Sequence, residues 1–137
     1  MNEDYRVRPI GRVSSPLTDS AAAPRQGDEG APEATLVFAD EVAGGLRDLR
    51  PGADILVLTW LHLARRDVLA VHPRDDLARP ETGVFNTRSP DRPNPIGLHR
   101  VTVTAVEGTR VRVRPLEAVD GTPILDVKPV LGPADGR

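Results

Sequence analysis

Residues Leu98 to Arg114 read LHRVTVTAVEGTRVRVR. Valine alternates here with threonine or arginine, which is the two-residue period of a strand with one buried face. Glu107-Gly108 breaks the alternation, so Leu98 to Val106 is expected to pair with Thr109 to Arg114 as a β-hairpin. The same period turns Arg110, Arg112 and Arg114 outward from Val111 and Val113, whatever the protein does.

The rest of the chain follows the hairpin's lead. Asp54 to Leu63, DILVLTWLHL, is the most apolar segment and is expected to be the central strand. Tyr5 to Val13, Ala34 to Phe38, Val68 to Val71 and Ile124 to Lys128 read as further strands, the last following a turn at Asp120-Gly121. Asp40 to Leu49 reads as a short helix with Asp40 as N-cap, weakened by Gly44 and Gly45, and Pro51-Gly52 then turns the chain. Ser14 to Glu33, rich in Ala, Pro, Gly and acid, reads as a mobile loop, and Pro73 to Thr82 as a polar one. The fold class is therefore mostly β and antiparallel, with one short helix and long loops, in a single domain spanning residues 1–137.

Composition narrows the function classes. With 3% aromatic residues in a 39% apolar chain, burial must rest on Val, Leu, Ile and Ala, which suits a barrel of short strands. The absence of cysteine excludes disulfides, thiolate metal sites and a cysteine nucleophile together. His62, His72 and His99 lack ligand spacing with carboxylates, so no metal site is expected. No segment has a signal peptide's apolar stretch or approaches membrane-spanning length, so a soluble cytoplasmic protein with no membrane partner is expected. The net charge of −2 gives no global attraction to nucleic acid, but it is unevenly spread. Between Asn86 and Arg114, arginines 88, 92, 100, 110, 112 and 114 face only Asp91 and Glu107, a basic region in an acidic chain.

The least ordinary stretch is Gly83 to Val101, GVFNTRSPDRPNPIGLHRV. Prolines 90, 93 and 95 exclude helix from Ser89 to Pro95 and stiffen the loop. A stiff loop holds Arg88, Arg92 and Asn94 in fixed directions, so little conformational entropy is lost when a ligand arrives. Guanidinium forks suit a carboxylate, phosphate or planar partner. The alternative is a structural proline loop whose arginines are solvated or paired to Asp91.

Five ordered motifs extend this reading: Pro9-Ile10-Gly11 with Ser15-Pro16, Pro24-Arg25-Gln26, Trp60-Leu61-His62, the Gly83 to Leu98 block, and Asp120-Gly121-Thr122-Pro123 followed by Asp126-Val127-Lys128-Pro129. In order and approximate spacing they resemble the TrmO/TsaA-like family of S-adenosylmethionine-dependent methyltransferases, over residues 8–129. The resemblance implies a single small antiparallel β-barrel rather than a Rossmann sheet, and S-adenosylmethionine as cofactor. It implies cofactor contacts at Pro24, Arg25, Gln26, His62, Leu63, Arg88, Leu98, Leu116 and Glu117. It further implies N6-methylation of threonylcarbamoyladenosine beside the anticodon of tRNA. Arg92, Arg110, Arg112 and Arg114 are then the expected nucleic-acid contacts, and a homodimer is expected because one small barrel offers little surface for cofactor and tRNA together.

Methyl transfer is an in-line displacement that needs alignment in a dry site, plus a group to take the acceptor's proton. Asp126, Asp120 and His62 are the candidates for that group, with Asp126 ranked first beside Lys128 on the same strand face. A structural ion pair would use Asp126 and Lys128 equally well. The chain departs from the family in reading DVKPV at Asp126 to Val130, where a tyrosine usually ends the motif, and in carrying Asn86 where alanine is frequent. It also stops at Arg137, short of the extension in longer members that could help grip tRNA. With few aromatics to stack a base, a small-molecule acceptor is the alternative to tRNA, and a non-enzymatic S-adenosylmethionine-binding module a third reading.

Overall fold

The structure, a computed structural model, describes residues 3–19 and 30–132. Among these residues eight strands form: β1 (Gly11–Ser14), β2 (Ala34–Phe38), β3 (Asp54–Trp60), β4 (Ala70–Val71), β5 (Thr82–Gly83), β6 (Ile96–Glu107), β7 (Arg110–Arg114) and β8 (Pro123–Pro129). Six of them close into a barrel in the order β1-β2-β7-β6-β3-β8, with β8 pairing back onto β1 at Gly11↔Ile124 and Arg12↔Pro123. β4 and β5 form a separate two-stranded sheet. The valine alternation works as expected: β7 buries Val111 and Val113 and exposes all three arginines, and β6 points Val101 and Val103 inward. The barrel is filled by these valines with Val13, Leu36, Phe38, Ile55, Val57, Leu116 and Ile124. Each such side chain, taken out of water, contributes about 1.5–3 kcal/mol.

Closure needs a close approach where β1 meets β2. A Cβ on Gly11 would lie 2.5 Å from the Val37 carbonyl oxygen and 2.9 Å from Phe38 Cα, so only glycine fits there. Register shifts between Leu58 and Thr59 on the β3–β8 seam, and between Val103 and Ala105 on the β6–β7 seam, add the bends that curl the sheet.

All six barrel pairings are antiparallel, so strand direction alternates around the ring. The connections β1→β2, β3→β6 and β7→β8 therefore all emerge at one end, which we call the open end. The β2→β3 connection and the β6–β7 turn lie at the other, where Val42, Leu46, Leu49 and Ala53 pack onto the core and close it.

Several elements differ from expectation. The first strand is Gly11–Ser14 rather than Tyr5 to Val13, because β8 supplies partners only as far as Gly11 and the Ile10 N–H to Ile124 carbonyl bond of 2.8 Å is the last rung. Tyr5 and Val7 are accordingly exposed. The expected helix is a 3₁₀ helix over Asp40–Leu46, whose N-cap is Ala39 with no side-chain bond; Gly44 and Gly45 leave only short i→i+3 turns. β3 stops at Trp60 rather than Leu63, since its partner β6 begins at Ile96 opposite it. The strand expected at Val68 to Val71 shrinks to Ala70–Val71, and its partner Thr82–Gly83 lies at the end of the segment read as loop. Residues 20–29 of the long loop lie outside the description.

Candidate functional site

The open end gathers the motif-bearing segments. The β3→β6 connection carries His62, Leu63 and the proline loop, and β7→β8 carries Leu116, Glu117 and Asp120. The β1→β2 connection carries Pro24, Arg25 and Gln26, which lie outside the described residues.

The proline loop is stiff for reasons beyond its prolines. The Arg92 guanidinium turns inward and donates to three carbonyls of its own loop, those of Ser89 (2.9 Å), Thr87 (2.6 Å) and Val84 (2.5 Å). Arg66 reaches across from the preceding turn to donate to the Pro93 carbonyl (2.7 Å) and Asn94 Oδ1 (3.0 Å), while lying 5.1 Å over the Trp60 ring. The Arg65 N–H donates to Asp91 Oδ1 at 2.8 Å, and the Arg92 N–H to the Arg65 carbonyl at 3.0 Å. Asp91 thus pairs with backbone, not with a loop arginine. Arg92 and Asn94, expected to face a ligand, instead hold the loop together. Arg88 is the loop arginine left exposed, with no hydrogen bond or ion pair among the described residues.

The other candidates separate. His62 and Leu63 lie past the end of β3 and are exposed, so His62 is not a strand residue as expected. Leu98 sits at an outward, half-buried position of β6 opposite Leu58. The Leu116 side chain is fully buried in the barrel core, which leaves only its backbone for a ligand, and its N–H already donates to the Pro32 carbonyl at 3.0 Å. Asp120 is exposed on the open rim, where one carboxylate oxygen accepts from the Ser15 N–H at 3.0 Å. Asp126 and Lys128 form an ion pair of 3.4 Å on the outer wall, both more than half exposed. Arg110, Arg112 and Arg114 also face outward on the wall, but acids interrupt the stripe: Glu33 lies 3.7 Å from Arg112, and Glu107 sits opposite Arg110.

One group was missed. His99 points into the barrel with its Nε2 2.7 Å from Thr59 Oγ1 and its Nδ1 2.5 Å from Glu117 Oε1. Thr59 and His99 are buried, and the Glu117 side chain is only 14% exposed. The signal was in the alternation: His99 shares the parity of Val101 and Val103, so it had to point inward with them. Gly97 makes the room, since a Cβ there would lie 2.4 Å from Thr59 Oγ1 and 2.7 Å from His99 Nε2. Chemically, the open end thus offers a tethered carboxylate, an unpaired guanidinium, a second rim carboxylate and an exposed imidazole. That set suits a ligand bearing both charges.

An S-adenosyl-L-methionine-binding protein of Archaeoglobus fulgidus is 44% identical over 122 residues, covering 89% of this chain and 86% of the relative. A probable S-adenosyl-L-methionine-binding protein of Methanothermobacter thermautotrophicus is 43% identical over 126 residues, covering 92% and 90%. The crystal structure of TrmO from Pseudomonas aeruginosa superposes with a TM-score of 0.76 at 29% identity, covering 100% of this chain and 61% of that one, so this chain spans about three fifths of that protein. Residues 12–136 match the tRNA-methyltransferase O N-terminal domain. By that match and by the identity to its relatives, the chain belongs to the tRNA-methyltransferase O N-terminal domain family.

Proposed function

We propose that the protein is an S-adenosylmethionine-dependent methyltransferase that acts on tRNA, with N6-threonylcarbamoyladenosine beside the anticodon as the methylated nucleoside. The observation that carries the reading is the convergence of three motif-bearing connections on one end of the barrel. A relative at 44% identity is named for binding S-adenosyl-L-methionine, and the matched domain is named for tRNA methylation.

The residues at the open end fit such a cofactor by their chemistry. Arg88 is free to meet the amino acid carboxylate, and Glu117 offers one carboxylate oxygen to a positive group. Pro24, Arg25, Gln26, His62, Leu63, Leu98 and the Leu116 backbone complete the set on the family's pattern. The bound cofactor supplies a methyl group on a positively charged sulfur. The chain's part is to orient that methyl toward the acceptor, exclude water and take up the acceptor's proton. We assign the proton to Asp120, whose second oxygen makes no hydrogen bond among the described residues, ahead of Asp126, which is paired with Lys128 away from the open end. Arg92 keeps the loop in shape, and Arg110, Arg112 and Arg114 offer phosphate contacts from the wall. A homodimer is supported by the outer face of β3 and β6, where Leu56, Leu58, Trp60, Ile96 and Leu98 stand in outward positions that a solvated wall would fill with polar groups.

A small-molecule acceptor is the second reading. It is favoured by the acids interleaved with the arginine stripe and by the aromatic inventory: Phe38 is core, Trp60 is covered by Arg66, and of the two exposed rings only Phe85 lies on an open-end loop. The test is to incubate the protein with methyl-labelled cofactor and total tRNA lacking this methylation, then digest and identify the labelled nucleoside by mass spectrometry. Label on threonylcarbamoyladenosine supports the tRNA reading. Cofactor binding without any labelled nucleoside moves the assignment to a small acceptor.

A further inference from the structure

We infer that Glu117, tethered by His99 and Thr59, is the anionic group that reads the positive sulfur of the methyl donor and so distinguishes the charged donor from its neutral product. The inference rests on the methyltransferase reading above and adds to it the role of three linked residues.

The argument starts from a cost. A valine at position 99 would continue the apolar parity of Val101 and Val103, yet the chain buries an imidazole and a hydroxyl there, 4% and 0% exposed. Buried polar groups are tolerated when fully paired, and these are: both ring nitrogens are engaged. An ionised carboxylate only accepts, so Nδ1 carries a proton and donates to Glu117 Oε1. Nε2 then accepts from the Thr59 hydroxyl in the neutral ring or donates to it in the charged one. In either state the imidazole is spent on holding the carboxylate, and His99 and Thr59 are positioning residues rather than acid–base catalysts.

What is held has a free end. Among the described residues Glu117 Oε2 makes no hydrogen bond, and no buried side-chain nitrogen or oxygen there lacks a partner. Oε2 is therefore open to solvent, and it belongs to the β7→β8 connection at the open end. A fixed, poorly solvated carboxylate there attracts a cation more strongly than a mobile one in water. As the methyl leaves, the C–S bond's electron pair stays on sulfur, which becomes a neutral thioether, and the new bond forms to the acceptor, whose proton departs. The carboxylate's attraction is thus greatest before transfer and falls away after it, which favours donor binding and product release over the chemical step itself.

The test compares binding of S-adenosylmethionine with that of S-adenosylhomocysteine by calorimetry, in the parent and in Glu117→Gln, whose amide oxygen still accepts from His99. The expected result is a loss of about tenfold or more for the cationic donor and less than about threefold for the neutral product. The donor's KM should rise by a larger factor than kcat falls. His99→Asn, which releases the tether but keeps the charge, should lower the same preference by a smaller factor. A purely structural role would lower the melting temperature and weaken both ligands equally, and that outcome overturns the inference while leaving cofactor binding intact. A measurement on the parent alone guards against a variant that fails to fold: an analogue with an amine in place of the methylsulfonium should bind more tightly than the thioether, and equal affinity overturns the inference. If the parent binds none of these ligands, the methyltransferase reading falls as well.

Discussion

Gly97→Ala adds a single methyl group where the barrel has no space for it. The new Cβ would stand 2.4 Å from Thr59 Oγ1, 2.7 Å from His99 Nε2 and 3.1 Å from Leu61 Cδ2. Gly97 itself is buried between strands, and its φ lies outside the left-handed region, so the cost is one of space and not of backbone strain. Overpacking of this kind costs about 1–3 kcal/mol. Forcing Thr59 from His99 leaves a buried polar group poorly paired, at about another 1–3 kcal/mol. The stiffer unfolded chain returns about 0.4–1 kcal/mol. The net expectation is a destabilisation of about 3 kcal/mol. At about 2.1 cal/mol/K of unfolding entropy per residue, the 137 residues carry about 0.3 kcal/mol/K, so the melting temperature should fall by about 10 °C. Scanning calorimetry on Gly97→Ala beside Gly44→Ala, where an added Cβ meets nothing within 4 Å, reads this directly. The double variant Thr59→Ala with Gly97→Ala should be more stable than the two separate losses predict, because removing the hydroxyl makes room for the methyl. A Gly97→Ala protein melting within about 2 °C of the parent would refute the packing argument.

Other expectations follow from the same geometry. Replacing Arg110, Arg112 and Arg114 with alanine should lower the slope of log binding constant against log salt for tRNA by about 2 to 3, and an unchanged slope would remove the stripe from the RNA contact. Arg92→Ala should instead leave that slope alone and speed amide exchange at Thr87 and Ser89 by about 10- to 100-fold, with no rescue by lysine, whose point charge cannot span three carbonyls. Asp54 accepts from Thr102 Oγ1 (2.6 Å) and Arg100 (3.4 Å), which hold its carboxyl below the ordinary 3.8. Folding favours its charged form, so its contribution to stability is complete above about pH 4 and is lost as pH falls through the lower folded value. The urea midpoint of Asp54→Asn should therefore trail the parent's at neutral pH and approach it in acid; a gap independent of pH would be the contrary finding.

The strands with one buried and one solvated face were legible because their alternation is a local property. Val111, Val113, Val101 and Val103 declare their side of the wall without reference to anything distant. Strand ends were not legible, because β1 and β3 stop where β8 and β6 cease to offer partners, and that limit is written in other segments. The 3₁₀ form of Asp40–Leu46 was half visible in Gly44 and Gly45. In the proline loop, stiffness could be read from Pro90, Pro93 and Pro95, but the inward turn of Arg92 depends on three carbonyls that converge only when the loop closes. His99 was readable by parity and Glu117 by motif. Their contact was not, because it joins the β6 strand to the β7→β8 connection and carries no spacing rule.

The seam at which β8 meets β1 also limits how copies of this chain can meet. A sheet with loose margins offers rows of unpaired amides and carbonyls, onto which a neighbour can lay a strand of its own. Here Gly11↔Ile124 and Arg12↔Pro123 close the ring, so among the described residues none of its six strands has a wholly unpaired edge, and β4 and β5, two residues each, give little to extend. Two copies that associate through the barrel then meet chiefly by the side chains that the ring turns outward, and their affinity is set more by single residues on that wall than by shared backbone.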